Sequence, residues 1–458
     1  MEEEQKQNSQ KRRAKGELFS NEALRKLIIP LIIEQILAVT VGMVDTMMVS
    51  SAGEAATSGV SLVDMINNLI INVFAAVATG GAVVVSQYLG QKKRDKACEA
   101  ADQLIFITGL ISLVIMAAAI LFRNGLLQVI YHGIEPEVME NALTYLVISA
   151  VSYPFLAVYN SCAALFRSMG NSKISMQASL VMNVLNIFGD YILIFPFQMG
   201  VAGAALATLA SRVVACVILT IRLRNPKLDI CIGQGRFAVN GGMIKRILHI
   251  GIPGGVENSI FQLGRVLVVS IIATFGTVQI AANAVANNLD SMGVLPGQAM
   301  NLAMITVIGR CVGAGDFGQA KFYAKKLMKL TYLINGLCCA GVILTMPLTM
   351  KLYGLSEETL RLAVVLVLIH DGCGILLWPA SFTLTNVLRA ANDVKFPMVI
   401  SISSMVIFRL GLSYVIGVGM GMGAIGVWIA MVVDWIARTI CFVGRYRSGK
   451  WQMFYRAS

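Results

Sequence analysis

At 458 residues, 57% hydrophobic and only 14% charged, with a mean hydropathy of +0.73, the chain is too apolar for an ordinary soluble protein. A net charge of +12 would raise nucleic acid as a partner for a soluble domain, but apolar runs recur along the chain and leave no stretch for a sizeable soluble core. Nine Cys without CxxC spacing, and His132, His249 and His370 far apart, imply no disulfide framework, zinc motif or catalytic constellation.

Behind a polar tail at 1–26, the pattern predicts an all-α polytopic membrane protein with twelve spans. Six lie near 27–49, 60–86, 103–122, 142–165, 174–195 and 200–221, giving a first lobe over 27–221. A loop-like connector follows at 222–246. Spans near 247–273, 280–308, 327–350, 362–388, 396–417 and 424–444 then form a second lobe over 247–444, with a tail at 445–458. The long polar tail before a full-length first span argues against a cleavable signal peptide.

Basic residues set the orientation. Of 37 Lys and Arg, 30 fall in the two tails and in the loops after the even-numbered spans, whereas only Arg123, Lys351 and Arg361 fall in the opposite loops. Both termini are therefore expected in the cytoplasm, with the basic loops facing anionic lipid headgroups.

The first span, "IPLIIEQILAVTVGMVDTMMVS" (29–50), carries Glu34 and Asp45. Span 2 carries Asp64, Asn67, Asn68 and Asn72, an Asn-rich face of the kind that lines a wet interface between helices. Counting 1.5 Å per residue from the outer boundary puts Asp45 about 8 Å deep, Asp190 about 9 Å deep with Asn186 one turn below, and Thr208 about 12 Å deep. These four share one layer on spans 1, 5 and 6, and Asn186 and Asp190 share one helix face. Their oxygens suit Na⁺, Ca²⁺ or a carboxylate-held proton. The alternative is a set of interhelical hydrogen bonds, but two acids in low dielectric favour a cation or shared proton.

Slid against itself, the chain matches at a constant offset of 223: Ile29/Ile252, Pro30/Pro253, Glu34/Glu257, Gly53/Gly276, Gly90/Gly313 and Gly200/Gly423. Six spans per repeat give both halves the same direction, so two bundles related by a pseudo-two-fold axis along the membrane normal are expected, a common transporter layout. Asp45, Asn186, Asp190 and Thr208 meet Val268, Arg409, Ser413 and Met431, so the polar set belongs to the first half only. In the second half Glu257, Asp290, Asp371 and Asp434 are intramembrane acids, and either Glu257 or Asp371 can attract a cationic substrate or carry a second proton.

These residues resemble the multidrug and toxic compound extrusion (MATE) transporters, in their prokaryotic NorM- and DinF-like branches. The likeness rests on "IPLIIEQ" with "GMVDTMMVS", "GGAVVVSQYLG", "FRSMGNSK", "NIFGDYILIF", "GVAGAALATLAS" and "GIPGGVEN", and covers nearly the whole chain. It implies a cation-coupled antiporter, not an enzyme, that exports organic, often cationic and amphipathic drugs in exchange for Na⁺ or H⁺. It also implies a coupling-cation site, with Na⁺ as its one candidate metal, at Asp45, Asn186, Asp190 and Thr208. Pro30 would bend helix 1, and Glu257 and Asp371 would form a second-lobe cation or substrate site. No cofactor beyond the coupling ion and no nucleic acid are implied, and a monomer in the plasma membrane of a prokaryote is expected. A lipid-linked saccharide flippase of the same wider superfamily is the alternative, kept open by Arg212, Arg265 and Arg409. An intramembrane enzyme is disfavoured.

Overall fold

The computed structural model describes residues 17–130, 135–234 and 237–456, so His132 and most of the N-terminal tail lie outside the described residues. Among the described residues, 12 helices are long and apolar enough to cross a membrane. They are α1 (Asn21–Ser50), α2 (Glu54–Gly90), α3 (Arg94–Leu121), α4 (Pro136–Ser168), α5 (Ser172–Ile194), α6 (Gly200–Leu223), α7 (Gly241–Ala273), α8 (Thr277–Gly313), α9 (Phe317–Thr349), α10 (Glu357–Ala390), α11 (Lys395–Gly419) and α12 (Gly423–Arg447). Each predicted span is present. Several helices overrun the apolar run: α2 and α8 have 37 residues each, about 55 Å at 1.5 Å per residue, against a hydrocarbon core of about 30 Å.

The repeat is written into the backbone. α2 and α8 begin and end 223 positions apart, as do the starts of α3 and α9, the starts of α6 and α12, and the ends of α1 and α7. Gly53 and Gly276, which open α2 and α8, have φ of 111° and 100°, and Gly200 and Gly423, which open α6 and α12, have φ of 52° and 59°. Such torsions cost a residue with a Cβ, so the glycines that recur in the sequence recur because both turns demand them.

Two compact units emerge, one of Asn21–Gly255 and one from Val256 onward together with the segment ending at Ser20. The connector, expected as a separate segment, packs onto the first unit. Arg94 Nη2 donates to the carbonyls of Pro226 at 2.6 Å and Leu228 at 3.0 Å, Asn240 Nδ2 donates to Glu99 Oε1 at 2.6 Å, and Gln103 Nε2 donates to the Ala238 carbonyl at 2.8 Å. The first turns of α7 also lie against α2, where a Cβ on Gly80 would meet the Ile247 carbonyl oxygen at 2.6 Å and the Gly251 nitrogen at 2.7 Å. Two glycines let these backbones touch.

Inside the first unit α4 packs on α2, α3 and α6, and α5 lies against α1 and α6. This brings α1, α5 and α6, the carriers of the predicted polar set, together. In the second unit α8 packs on α9 and α10, and α12 packs on α11 and α10. α10 is one helix with a wide turn at Pro379–Thr383, where the Leu384 amide bonds to the Pro379 carbonyl five residues back. Proline has no amide hydrogen to donate, and an i→i+5 turn is one way a helix passes such a point.

Candidate functional site

Within the first unit a cavity of about 570 Å³ is lined from α1 by Glu34, Val41 and Asp45, from α2 by Asp64 and Asn67, and from α4 to α6 by Tyr145, Tyr159, Asn186, Thr208 and Arg212. Of the four residues expected to share one layer, Asp45, Asn186 and Thr208 line this cavity, and Asp190 lies one turn from Asn186 on the same helix face. Asn186 Nδ2 donates to Thr208 Oγ1 at 3.3 Å, tying α5 to α6. Asp190, one turn along α5, is 1% exposed, and its carboxylate approaches that of Asp45 on α1 to hydrogen-bonding range. Neither oxygen of Asp190, nor Asp45 Oδ1, receives a hydrogen bond among the described residues. A buried and a half-buried carboxylate facing one another have no donor between them unless a proton or a cation supplies one. The oxygens of Asp45, Asp190, Asn186 and Thr208 are hard donors of the kind that hold Na⁺.

Other charges at this cavity have partners. Glu34 is held by Arg167 at 3.5 Å and by Ser175 Oγ at 3.1 Å. Asp64 accepts from Asn67 Nδ2 at 3.3 Å, and Asn67 in turn accepts from Tyr153 Oη at 2.7 Å. Arg212 donates to Ser152 Oγ at 2.6 Å and supplies the nearby positive charge for Asp64. Among the described residues neither Asp45 nor Asp190 has a direct ion pair, Arg212 acting on Asp45 as well as Asp64 only from a distance.

The sequence reading assigned Asp64 to a wet helix interface and Arg212 to the flippase alternative, and it did not name Tyr145. A signal existed: α2 begins at Glu54, so Asp64 lies about 15 Å along it at 1.5 Å per residue, a depth from the helix end close to that of Asp45 and Thr208.

The two second-unit residues go to different partners. Glu257 accepts from Arg389 Nη2 at 2.6 Å, whereas Asp371 lies 2.9 Å from His370 Nδ1. The Glu257 pair repeats the Glu34 pair of the first unit. "FRSMGNSK" (166–173) aligns with "LRAANDVK" (388–395) at an offset of 222, which matches Arg167 with Arg389 and Gly170 with Asn392. Gly170 and Asn392 share a left-handed backbone, with φ of 80° and 67°. Where the first half carries Asn186, the second carries Arg409, whose Nε sits 3.8 Å from Asp434. The polar layer thus differs in charge between the repeats.

Twelve spanning helices in two repeats, one of which sets a half-buried Asp45 against a buried Asp190 beside a cavity, describe a polytopic membrane transporter. The MatE family model matches residues 30–192 and 253–415, two segments displaced by the same 223 positions that relate the repeats. The chain belongs to the MatE family. It is 30% identical over 459 residues to the uncharacterized transporter YisQ of Bacillus subtilis, covering 95% of this chain and 98% of that protein. It is 26% identical to the probable multidrug resistance protein NorM of Thermotoga maritima, covering 94% and 92%. A solved MATE structure in the bent conformation has the same fold, with a TM-score of 0.86 over 95% of this chain and 96% of that one at 20% identity.

Proposed function

We propose that this transporter is an antiporter that exports organic, often cationic amphipathic compounds across a prokaryotic plasma membrane by alternating access, in exchange for entering Na⁺ or H⁺. The observation that carries the reading is the Asp45–Asp190 pair, in which both oxygens of buried Asp190 and Oδ1 of half-buried Asp45 have no donor among the described residues. The cavity beside it is of drug size. Its wall joins Asp45 and Asp64 to Tyr145, Tyr159, Met182 and Ile71, acids and apolar surface together, which suits an organic cation.

Coupling follows from competition for one charge. An empty site holds two carboxylates against each other, and a proton or Na⁺ bridging α1 to α5 and α6 removes their repulsion. The same cation removes the attraction the pair offers to a cationic drug. Binding of either therefore disfavours the other, as antiport requires, and an ion with equal affinity for both states would drive nothing. The membrane potential adds about 2.3 kcal/mol per entering charge at 100 mV. With both termini in the cytoplasm, Asp45 lies toward the outer side, where the entering ion arrives.

A lipid-linked saccharide flippase would need unpaired cationic groups for a pyrophosphate. Arg212, the guanidinium lining this cavity, is bonded to Ser152 and faces Asp64, which favours the efflux reading. In cells loaded with ethidium, Asp45→Asn is expected to abolish efflux at unchanged expression. Efflux at the unaltered rate contradicts the assignment.

A further inference from the structure

The second unit carries a basic groove that the antiport reading does not use. It has a volume of about 360 Å³ and is lined by Lys321, Lys325, Lys329 and Tyr332 of α9, Leu384 of α10 and Tyr446 of α12. The three lysines recur every fourth residue, so they stack along one face of α9 at steps of about 6 Å. All three are exposed, and none forms an ion pair among the described residues. The wall of the groove is almost wholly apolar, so the lysines line it with their methylene stems and carry their charges at its rim.

In the first repeat the corresponding face is covered by the chain itself. At the offset of 223, Lys321, Lys325, Lys329 and Tyr446 correspond to Cys98, Asp102, Phe106 and Leu223, and the connector lies along them. Cys98 Sγ accepts from the Cys231 amide at 3.3 Å, and Asp102 Oδ1 accepts from the Gly233 amide at 2.9 Å. The Leu223 carbonyl accepts from the Ile232 amide at 3.2 Å, and the rings of Phe106 and Phe237 lie 5.4 Å apart. In the second unit the described tail after α12 packs its short helix Trp451–Arg456 on Phe317, one turn before Lys321, and does not line the groove. The same face of the repeat is thus covered by the connector in one copy and open in the other.

The exchanged side chains change what the open face can hold. A thiol and a carboxylate accept from backbone amides, as they do on α3, whereas each lysine ammonium has three donors and no acceptor. The second groove therefore suits an acceptor-rich anion in place of a peptide segment. A small soluble anion would satisfy the rim and leave the apolar wall of Met328 and Leu384 in water. A phospholipid satisfies both, with its phosphate at the rim and an acyl chain along the wall. The height agrees, because the apolar run of this span starts near 327, which puts the lysines at headgroup level with the Tyr332 ring just inside, where amphipathic rings settle. Diffuse attraction of basic loops to an anionic surface needs charge alone; a groove with an apolar wall adds a fixed seat.

We propose that this groove is a binding site for one anionic phospholipid of the inner leaflet, its phosphate held by Lys321, Lys325 and Lys329 and an acyl chain lying against Met328 and Leu384. The lipid takes the place on α9 that the connector takes on α3.

The test uses the full chain, purified in detergent and titrated with phosphatidylglycerol or with phosphatidylcholine of the same acyl chains, with bound lipid counted by native mass spectrometry. One tightly held phosphatidylglycerol per chain is expected, and phosphatidylcholine should bind more weakly. A lysine near an anionic headgroup is worth about fivefold in affinity, so Lys325→Gln should weaken the first phosphatidylglycerol about fivefold. The triple variant Lys321→Gln, Lys325→Gln, Lys329→Gln should weaken it about a hundredfold on the same scale. Removing equal charge elsewhere, in Lys92→Gln, Lys93→Gln, Lys173→Gln, should leave that lipid bound. Millimolar inorganic phosphate, which has the anion without the chains, should not displace it. Gel filtration checks that each variant is intact, and Lys325→Gln alone decides the matter if the triple variant does not fold. Equal binding of the two lipids, equal weakening in the two triple variants, or displacement by inorganic phosphate overturns the proposal.

Discussion

Asp45 and Glu257 are both acids inside a span, yet their surroundings give them opposite tasks. Asp45 faces another carboxylate with no donor, so replacing Asp190 by Asn is expected to leave the fold intact and remove ion dependence, read as drug efflux that no longer responds to an imposed cation gradient. Glu257 is ion-paired with Arg389 at 2.6 Å, and removing one partner of a buried pair costs about 3 kcal/mol. Glu257→Gln is accordingly expected to lower Tm in detergent, with part of the loss recovered in the Glu257→Gln, Arg389→Gln double variant. If Glu257→Gln abolishes efflux at unchanged Tm, the residue binds ion or substrate instead. Depth along a helix was enough to group Asp45, Asn186, Asp190 and Thr208 from the sequence, because the ends of spans 1 and 5 and the start of span 6 fix the heights of four side chains. It could not give the partner of Glu257, since Arg389 lies on α10, more than a hundred residues away, and only packing brings it near.

The first helix shows how an element can carry a proline and still be held. Pro30 has no amide hydrogen, so the Lys26 carbonyl one turn back loses its helical donor. Ser172, the first residue of α5, fills the gap: its hydroxyl donates to the carbonyls of Lys26 at 3.2 Å and Leu27 at 2.5 Å. The residue aligned with Ser172 in the second repeat is Val394, which has no hydroxyl, so α7 carries the matching Pro253 without this tie. Ser172→Ala is expected to cost about 1 kcal/mol, the usual worth of one hydrogen bond, visible as a lower Tm. It should also change the efflux rate, because α1 carries Asp45 and is tied to α5 at this point. An unchanged rate and Tm would mean that the contact is idle. Helix positions were legible in hydropathy, and the repeat in glycines that both copies need. The wide turn in α10 and the bonding of the connector to α3 were not, since both depend on carbonyls whose donors are fixed only in the folded chain.

For the whole molecule, the repeat built one scaffold twice and the polar layer made the copies different, with a carboxylate pair in the first unit and an arginine at the equivalent height in the second. Orientation in the membrane rests on the placement of 30 of 37 basic residues. A single Cys introduced at Ser448 in a cysteine-free background is expected to react with a membrane-impermeant maleimide only after the cells are opened. Labelling in intact cells would reverse the topology and put Asp45 on the inner side. The central claim is that the Asp45–Asp190 pair exchanges an entering cation for a leaving drug. Its most direct test is purified protein in liposomes, with drug movement followed under an imposed Na⁺ gradient and then an imposed pH gradient. One of the two gradients is expected to drive transport in the unaltered protein and to drive none in Asp45→Asn. Transport that ignores both gradients, or that persists at full rate in Asp45→Asn, would contradict the account.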